Sequence, residues 1–216
     1  MAIKKKTVII VAVIIAFLGI IGVGSGYTVY LRVMAPNVAV QEDVSLYVKP
    51  TFNLDSILVQ TQKLQLFKND GSFEWWANRQ NLGSHLTAGR YVITPGMSNR
   101  AIVNLLMSGR QTPVNVTFNN IRTKADFAGR IGEQLIADSS DFVAYFDSSA
   151  YFSTLGLNKD NFMTIFIPNT YELYWNTDAE GFVKRMAKEH DNFWTQARRD
   201  KAKKIGLSPE EVYILA

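Results

Sequence analysis

The stretch "AGRYVITPGMSNRAIVNLLMSGR", residues 88–110, decides the fold. After Gly89 the run "RYVIT" reads as a strand, Pro95 and Gly96 as a turn, and Ser98 as the cap of a helix. Ile102, Leu105 and Leu106 then recur at helical spacing on one face. Gly109 ends that helix, because glycine takes the left-handed conformation of a C-terminal cap without steric cost. The same order occurs upstream. "VSLYVK" (44–49) reads as a strand, and Asn53 can cap a helix whose Leu54, Ile57, Leu58 and Leu64 follow helical spacing. "FEWWANRQ" suggests a second short helix, and a strand with alternating Val114, Val116 and Phe118 closes the unit. Residues 44–118 are therefore expected to form a small α+β module, preceded by a short polar linker at 32–43.

Before the linker stands "KKKTVIIVAVIIAFLGIIGVGSGYTVYLR". No charge lies between Lys6 and Arg32, and the run is long enough to span a hydrocarbon core of about 30 Å. Lysines before the span and few basic residues after it place the N-terminus in the cytoplasm, with the body outside the cytoplasmic (inner) membrane. Residues 1–31 are thus read as a cytoplasmic start and a retained single-pass transmembrane anchor. A cleaved signal peptide is the competing reading, with small residues at Gly22 to Gly26; no A-x-A-like site closes the apolar run, and tyrosines follow it as interface anchors.

The second part, 119–216, is mainly helical at first. Thr123 can cap a helix presenting Phe127, Ile131 and Leu135, and Ser139 or Ser140 another carrying Phe142, Tyr145 and Phe146. Met163 to Ile167 is a buried-strand candidate, broken by Pro168 and Asn169. Thr177 with Glu180 forms a capping box for a long helix running through Phe182, Met186, Phe193 and Ala197 to about Ile205, with Gly206 at its end. Ser208, Pro209 and Glu211 open a last helix that reaches only Val212 to Ala216. About two turns with an apolar end are not stable alone in water, so such a helix docks at once or continues; a continuation is expected.

Composition narrows the chemistry. Aromatic content of 12% and charged content of 19% belong to a globular body. The net charge of +4 is concentrated in Lys4 to Lys6 and in Arg198 to Lys204, the latter read as a solvated helix face, so nucleic acid is not an expected partner. Absence of cysteine excludes disulfides, thiol catalysis and thiolate zinc sites. His85 is read as surface and His190 as packing; they lie far apart, and no metal or cofactor is expected. The pair Trp75–Trp76 is read as core or module interface in preference to a glycan platform.

One stretch carries the candidate site: "FIPNTYELYW", 166–175. Asn169, Thr170, Tyr171, Glu172 and Tyr174 offer amide, hydroxyl, carboxylate and aromatic groups around a proline turn. Sugars are bound by that mixture, since their C–H faces meet aromatic rings and their hydroxyls need hydrogen-bond partners. The alternative is a turn whose aromatics pack in the core. Glu172 is a general-acid candidate if buried, and otherwise an exposed carboxylate with no second acid placed to pair with it.

The order of membrane span, strand-helix module, "AGRYVITPGMSNRAIVNLLMSGR", "IPNTYELYW" and "LSPEEVYILA" resembles the YceG-like (MltG) family of endolytic murein transglycosylases. Ala88, Gly89, Tyr91, Pro95 to Ser98, Leu106 and Gly109 fit the family's a-G-x-Y, p-g-m-s and L-x-x-G pattern. Ile167 to Tyr171 matches its F-P-D-T-Y segment with Ile for Phe and Asn for Asp, while Met163 and Thr164 stand where the family often carries E-G. The resemblance implies a LysM-like module at 44–118 and, at 119–216, the first part of a mixed α/β catalytic domain. It implies cleavage of the bond between N-acetylmuramic acid and N-acetylglucosamine in nascent glycan strands, leaving 1,6-anhydro ends and terminating elongation. Its implied partners are peptidoglycan glycan strands, the membrane and peptidoglycan synthases. In the family the segment matching "VYILA" continues as S-I-V-E-x-E-T, whose first glutamate is the catalytic acid. The expectation is therefore a chain truncated just before that residue and inactive as it stands, with substrate-binding Asn169, Thr170, Tyr171, Glu172 and Tyr174 in place. A non-catalytic peptidoglycan-binding or scaffolding membrane protein, and a tethered partner-binding domain, are the alternatives.

Overall fold

The computed structural model describes residues 5–119, 121, 123–148 and 150–215, with side chains from 13 onwards. Lys4 and Ala216 lie outside the described residues, as do the side chains of Lys5 and Lys6, so the reading of orientation rests on sequence alone. The fold is α+β, and the chain divides into two units, Met1–Gln111 and Thr112–Ala216.

The first unit begins with α1 (Lys5–Met34). Its stretch Val13–Met34 is long and apolar enough to cross a membrane, and none of its most apolar window is buried against protein; a signal sequence passes the same test. Then come β1 (Val44–Val48), α2 (Leu54–Lys63), α3 (Asp70–Arg79), the single turn α4 (Leu82–His85), β2 (Gly89–Ile93) and α5 (Asn99–Ser108). β1 and β2 pair antiparallel, from Val44↔Ile93 to Val48↔Gly89. A two-stranded ribbon is marginal alone and needs cover on one face. Here Leu46, Val48, Tyr91 and Ile93 supply that face, and Ile57, Phe73, Leu82, Ile102 and Leu106 cover it. The expected caps form: Asn53 accepts from the Ser56 amide, Ser98 from Ala101, and Gly109 closes α5 at φ +66°.

Two expectations for this unit change. The stretch 32–43 is not a free polar linker: α1 runs on to Met34, Val33 and Val38 are buried, and Pro36↔Ser98 and Val38↔Phe67 form isolated bridges. Buried Asn37 explains it. Its side chain donates to Asn69 O (3.0 Å) and Asn99 Oδ1 (2.8 Å) and accepts from the Asn69 amide, so the segment's polar groups are satisfied inside the unit and not by water. The strand expected to close 44–118, β3 (Val114–Phe118), instead belongs to the second unit, because its partner is β4 (Asn169–Leu173), in antiparallel register from Val114↔Leu173 to Phe118↔Asn169.

The second unit continues with α6 (Lys124–Gly132), α7 (Ser139–Ser148), α8 (Tyr151–Thr154), a 3₁₀ turn at Phe162–Ile165, β4, α9 (Ala179–Phe193), α10 (Gln196–Lys204) and α11 (Pro209–Leu215). Its core is built on phenylalanines: Phe127 meets Phe166 at 4.5 Å and Phe118 edge-on at 5.0 Å, and Phe182 lies within 6.3 Å of Phe118, Phe142 and Phe166. Thr123 caps α6 as expected.

Four local readings are corrected. Residues 163–167 are not a strand: Asn158 Oδ1 accepts from the amides of Asp160 and Asn161, and Thr164 Oγ1 donates to Asn161 O, so side chains close a tight turn in place of an extended run. The cap of α7 is Asp138, whose carboxylate accepts from Ser140 and Asp141 amides. The Ser140 hydroxyl, which also donates to this carboxylate, and these amides hold the Asp138 carboxyl below the usual carboxylate range. Asp178, not Thr177, caps α9, accepting from Gly181 N at 2.8 Å; a carboxylate is the stronger acceptor at that position, and Thr177 turns its hydroxyl to Tyr174 O. The single long helix is two, broken at Trp194, whose side chain is buried. Arg198 and Arg199 donate to the carbonyls of Phe193 and Trp194 that the break releases.

Candidate functional site

In β4 successive side chains point to opposite faces, and this sorts the candidate residues. Tyr171 and Leu173 point inward and are buried; Asn169, Thr170 and Glu172 are exposed, and Tyr174 just past the strand is 53% exposed. Tyr171 is therefore not a sugar-lining residue. Its ring stacks on Phe118 at 5.5 Å, and its hydroxyl donates to Ile167 O at 2.6 Å. Burial, reinforced by the Glu189 carboxylate and opposed by Arg185, pushes its pKa up to about 12. Asn169 Oδ1 accepts from the Thr170 amide at 2.8 Å. On the outward side Thr170 and Thr117 share a hydroxyl–hydroxyl bond of 2.9 Å, and Gln134 seals the neighbouring edge by bonding both the amide and the carbonyl of Thr117. Glu172 and Tyr174 line an open groove of about 350 Å³ together with Thr177 and Arg185. Glu172 is exposed, so the burial that would make it a general acid is missing.

A second, larger hollow opens at the turn that precedes β4. Ile167 and Pro168 face Phe193, Trp194, Ile205, Val212 and Tyr213 across a cleft of about 560 Å³, with Arg198 and Lys201 as its charged members. The capping box predicted for α11 forms: Glu211 accepts from the Ser208 amide (2.7 Å) and Ser208 Oγ from the Glu211 amide (3.2 Å). So started, α11 docks on the turn through Tyr213, whose hydroxyl donates to Phe166 O at 3.2 Å. Two tyrosine hydroxyls thus hold consecutive carbonyls, those of Phe166 and Ile167, and fix the wall that Ile167 and Pro168 present. Burial raises the Tyr213 pKa as well, so both hydroxyls stay protonated donors at neutral pH. The indole N–H of Trp194 is buried without a partner among the described residues.

No Asp or Glu of the described residues lines this cleft. The apolar wall of this cleft would raise the pKa of a carboxylic acid placed against it, the state a proton donor requires, whereas Arg198 and Lys201 would lower that of an acid placed beside them. Sequence reasoning found the turn but not the cleft residues Phe193, Trp194, Arg198, Lys201 and Ile205, because their convergence depends on the break between α9 and α10. His190 is buried as expected; its pKa is lowered by burial, partly offset by the Asp191 and Glu210 carboxylates. His85 is exposed in α4. Trp76 packs against the first unit's core, and Trp75 is half-buried between two arginines.

The model of the YceG-like family matches residues 46–216. A crystal structure of a yceG-like protein from Listeria monocytogenes is similar at 18% identity, covering 78% of this chain and 60% of that one, with a TM-score of 0.39. The chain thus spans 60% of the length of that protein. No curated protein matches the sequence. With the family match running from β1 to the last residue, and so over most of its length, this chain belongs to the YceG-like family.

Proposed function

We propose that the chain is part of a membrane-anchored endolytic peptidoglycan transglycosylase. YceG-like proteins are known as MltG-type transglycosylases. The observation that carries the reading to this molecule is the docking of α11 on the 166–168 turn beside an apolar cleft. The acid of the reaction is the glutamate that the family resemblance places about four residues past Ala216, and no glutamate of 1–216 takes its role. Seven residues are about two helical turns, so on a continued α11 that acid shares the face of Tyr213, the residue bordering the cleft.

In the proposed reaction the protonated acid donates to the glycosidic oxygen between N-acetylmuramic acid and N-acetylglucosamine, and the glycosidic bond breaks. The resulting carboxylate takes the proton of the muramoyl C6 hydroxyl, whose oxygen bonds to the anomeric carbon and closes the 1,6-anhydro ring. No water adds, so a single carboxyl suffices where ordinary glycosidases use two. Thr170, Glu172 and Tyr174, beside the half-buried Thr117 on the adjoining strand, offer glycan an exposed polar strip with one aromatic ring; the first unit serves as the LysM-like module that holds the strand. α1 retained in the cytoplasmic membrane keeps this activity beside peptidoglycan synthases, where cutting a nascent strand ends its elongation.

The test compares the 1–216 chain with one extended through the family's S-I-V-E-x-E-T segment, and with the extended chain carrying Gln for its first glutamate. Each is incubated with peptidoglycan, and products are read by mass spectrometry for 1,6-anhydromuramic ends. Ends from the extended chain alone establish the enzyme and its acid. If none of the three makes them while all sediment with peptidoglycan, a non-catalytic glycan-binding protein replaces this reading.

A further inference from the structure

We propose that the base of the first unit is a headgroup collar: Arg32, Trp75, Arg79 and Arg100 seat this unit directly against the anionic phospholipid headgroups at the surface where α1 emerges. The inference rests on α1 being a retained membrane span and gives a partner to residues which that reading leaves unused.

The argument begins with length. The apolar run starts at Thr7, and at roughly 1.5 Å per residue about twenty residues cross a hydrocarbon core of about 30 Å, which brings the helix to the region of Tyr27. Tyr27 and Tyr30 are exposed there, as interfacial tyrosines are. Arg32 lies five residues past Tyr27, roughly 7 Å higher, within the headgroup layer of about 5–8 Å on each side.

A chain leaving a span commonly passes into a flexible linker, but this one does not. Fully buried Asn99 donates to Arg32 O at 2.7 Å and to Ser72 Oγ at 2.9 Å while accepting from Asn37, so the end of α1 is locked to α3 and α5. The surfaces of those helices next to Arg32 are therefore held at headgroup height. The Arg32 guanidinium lies 5.9 Å from the centre of the Trp75 ring, and that of Arg79 lies 6.0 Å from the same ring. Arg100 reaches Met34 Sδ at 3.8 Å. All three arginines are exposed, and none has an ion pair among the described residues. Guanidinium groups bind phosphate oxygens in pairs, and an indole with one wet edge suits the layer between water and acyl chains. Glu74, the acid nearest in sequence to Trp75, lies about 100° round the helix from it.

The chain has no cysteine, so single cysteines report position cleanly. Full chains carrying Asn78→Cys (exposed, on α3), Lys63→Cys (exposed end of α2, the aqueous reference) or Ile20→Cys (in the span) are spin-labelled in vesicles of phosphatidylglycerol and phosphatidylethanolamine. Collision with an aqueous nickel chelate is then measured. The expected result is severalfold lower collision at 78 than at 63, relieved by Arg79→Gln with Arg100→Gln and in phosphatidylcholine vesicles. Equal collision at 78 and 63 with Ile20 protected overturns the collar and leaves the span standing; equal protection of 78 in both lipids overturns its preference for anions. Ile20 open to the chelate overturns the span and the collar together.

Discussion

At the scale of single residues, two motif tyrosines do structural work. Tyr91 donates to Thr87 O at 2.8 Å and Tyr171 to Ile167 O at 2.6 Å, each reaching back four residues from a buried strand position to hold the chain that enters the strand. Tyr171→Phe leaves the Ile167 carbonyl short of a partner beside the core, and we expect a loss of about 1–2 kcal/mol in urea unfolding at neutral pH. The same residue sets an alkaline limit. With its folded pKa raised from 10 to about 12, the native state keeps a proton that the unfolded chain releases, so the stabilisation is whole below pH 10 and is lost as pH rises towards 12. Tyr171→Phe should flatten that decline in unfolding midpoint. His190 acts at the acid side: its folded pKa is depressed below 6.5, so its contribution is present above pH 6.5 and is lost as pH falls through the folded value. Between pH 7.5 and 5.5 the midpoint of the native chain should drop further than that of His190→Gln.

Elements explain what was legible in the sequence. Most caps that rest on neighbours were: Asn53, Ser98, Thr123 and the Ser208–Glu211 box form as their spacing indicates, while at α7 and α9 a nearby aspartate, Asp138 or Asp178, takes the place of the expected hydroxyl. What depends on distant partners was not. The alternation of Val114, Val116 and Phe118 fits any two-stranded partner, and only the register with Tyr171 and Leu173 assigns β3 to the second unit. Reading 166–175 as a turn hides the alternation of β4 and leaves Tyr171 among the sugar contacts, whereas a strand at 169–173 separates it at once from Thr170 and Glu172. Nothing in the apolar pattern of the long helix marks the break at Trp194, so the cleft that this break helps to form was out of reach. The junction of α1 was hidden for a like reason: Asn37 falls in a stretch whose polarity reads as a linker, and no local pattern marks Asn99 as buried. Asn99→Ala removes the side-chain donor to Arg32 O and one of the two acceptors of Asn37 Nδ2 together. We expect about 2–4 kcal/mol of destabilisation in the first unit, read as faster hydrogen exchange at 32–40.

Across the whole molecule, stability is expected to be partitioned as the cores are. The two buried clusters share no residue: one gathers Leu46, Phe73, Tyr91 and Leu106, the other Phe118, Phe127, Phe142 and Phe182. This division matters to the proposed function, because a unit that holds glycan and a unit that cuts it can then tolerate change separately. Phe73 stacks on Phe67 at 4.4 Å and is fully buried, and Phe127 sits at the centre of the second cluster, so truncating either to alanine should cost about 3–5 kcal/mol locally. With the chain in detergent, hydrogen exchange followed by mass spectrometry should show Phe73→Ala accelerating peptides of 44–111 and leaving 112–215 unchanged, and Phe127→Ala the reverse. Acceleration throughout the chain by either substitution would show one cooperative body in place of two. Glycan holding and cutting would then have to be lost together, and sedimentation of Phe127→Ala with peptidoglycan would fall along with any anhydro product of the extended chain.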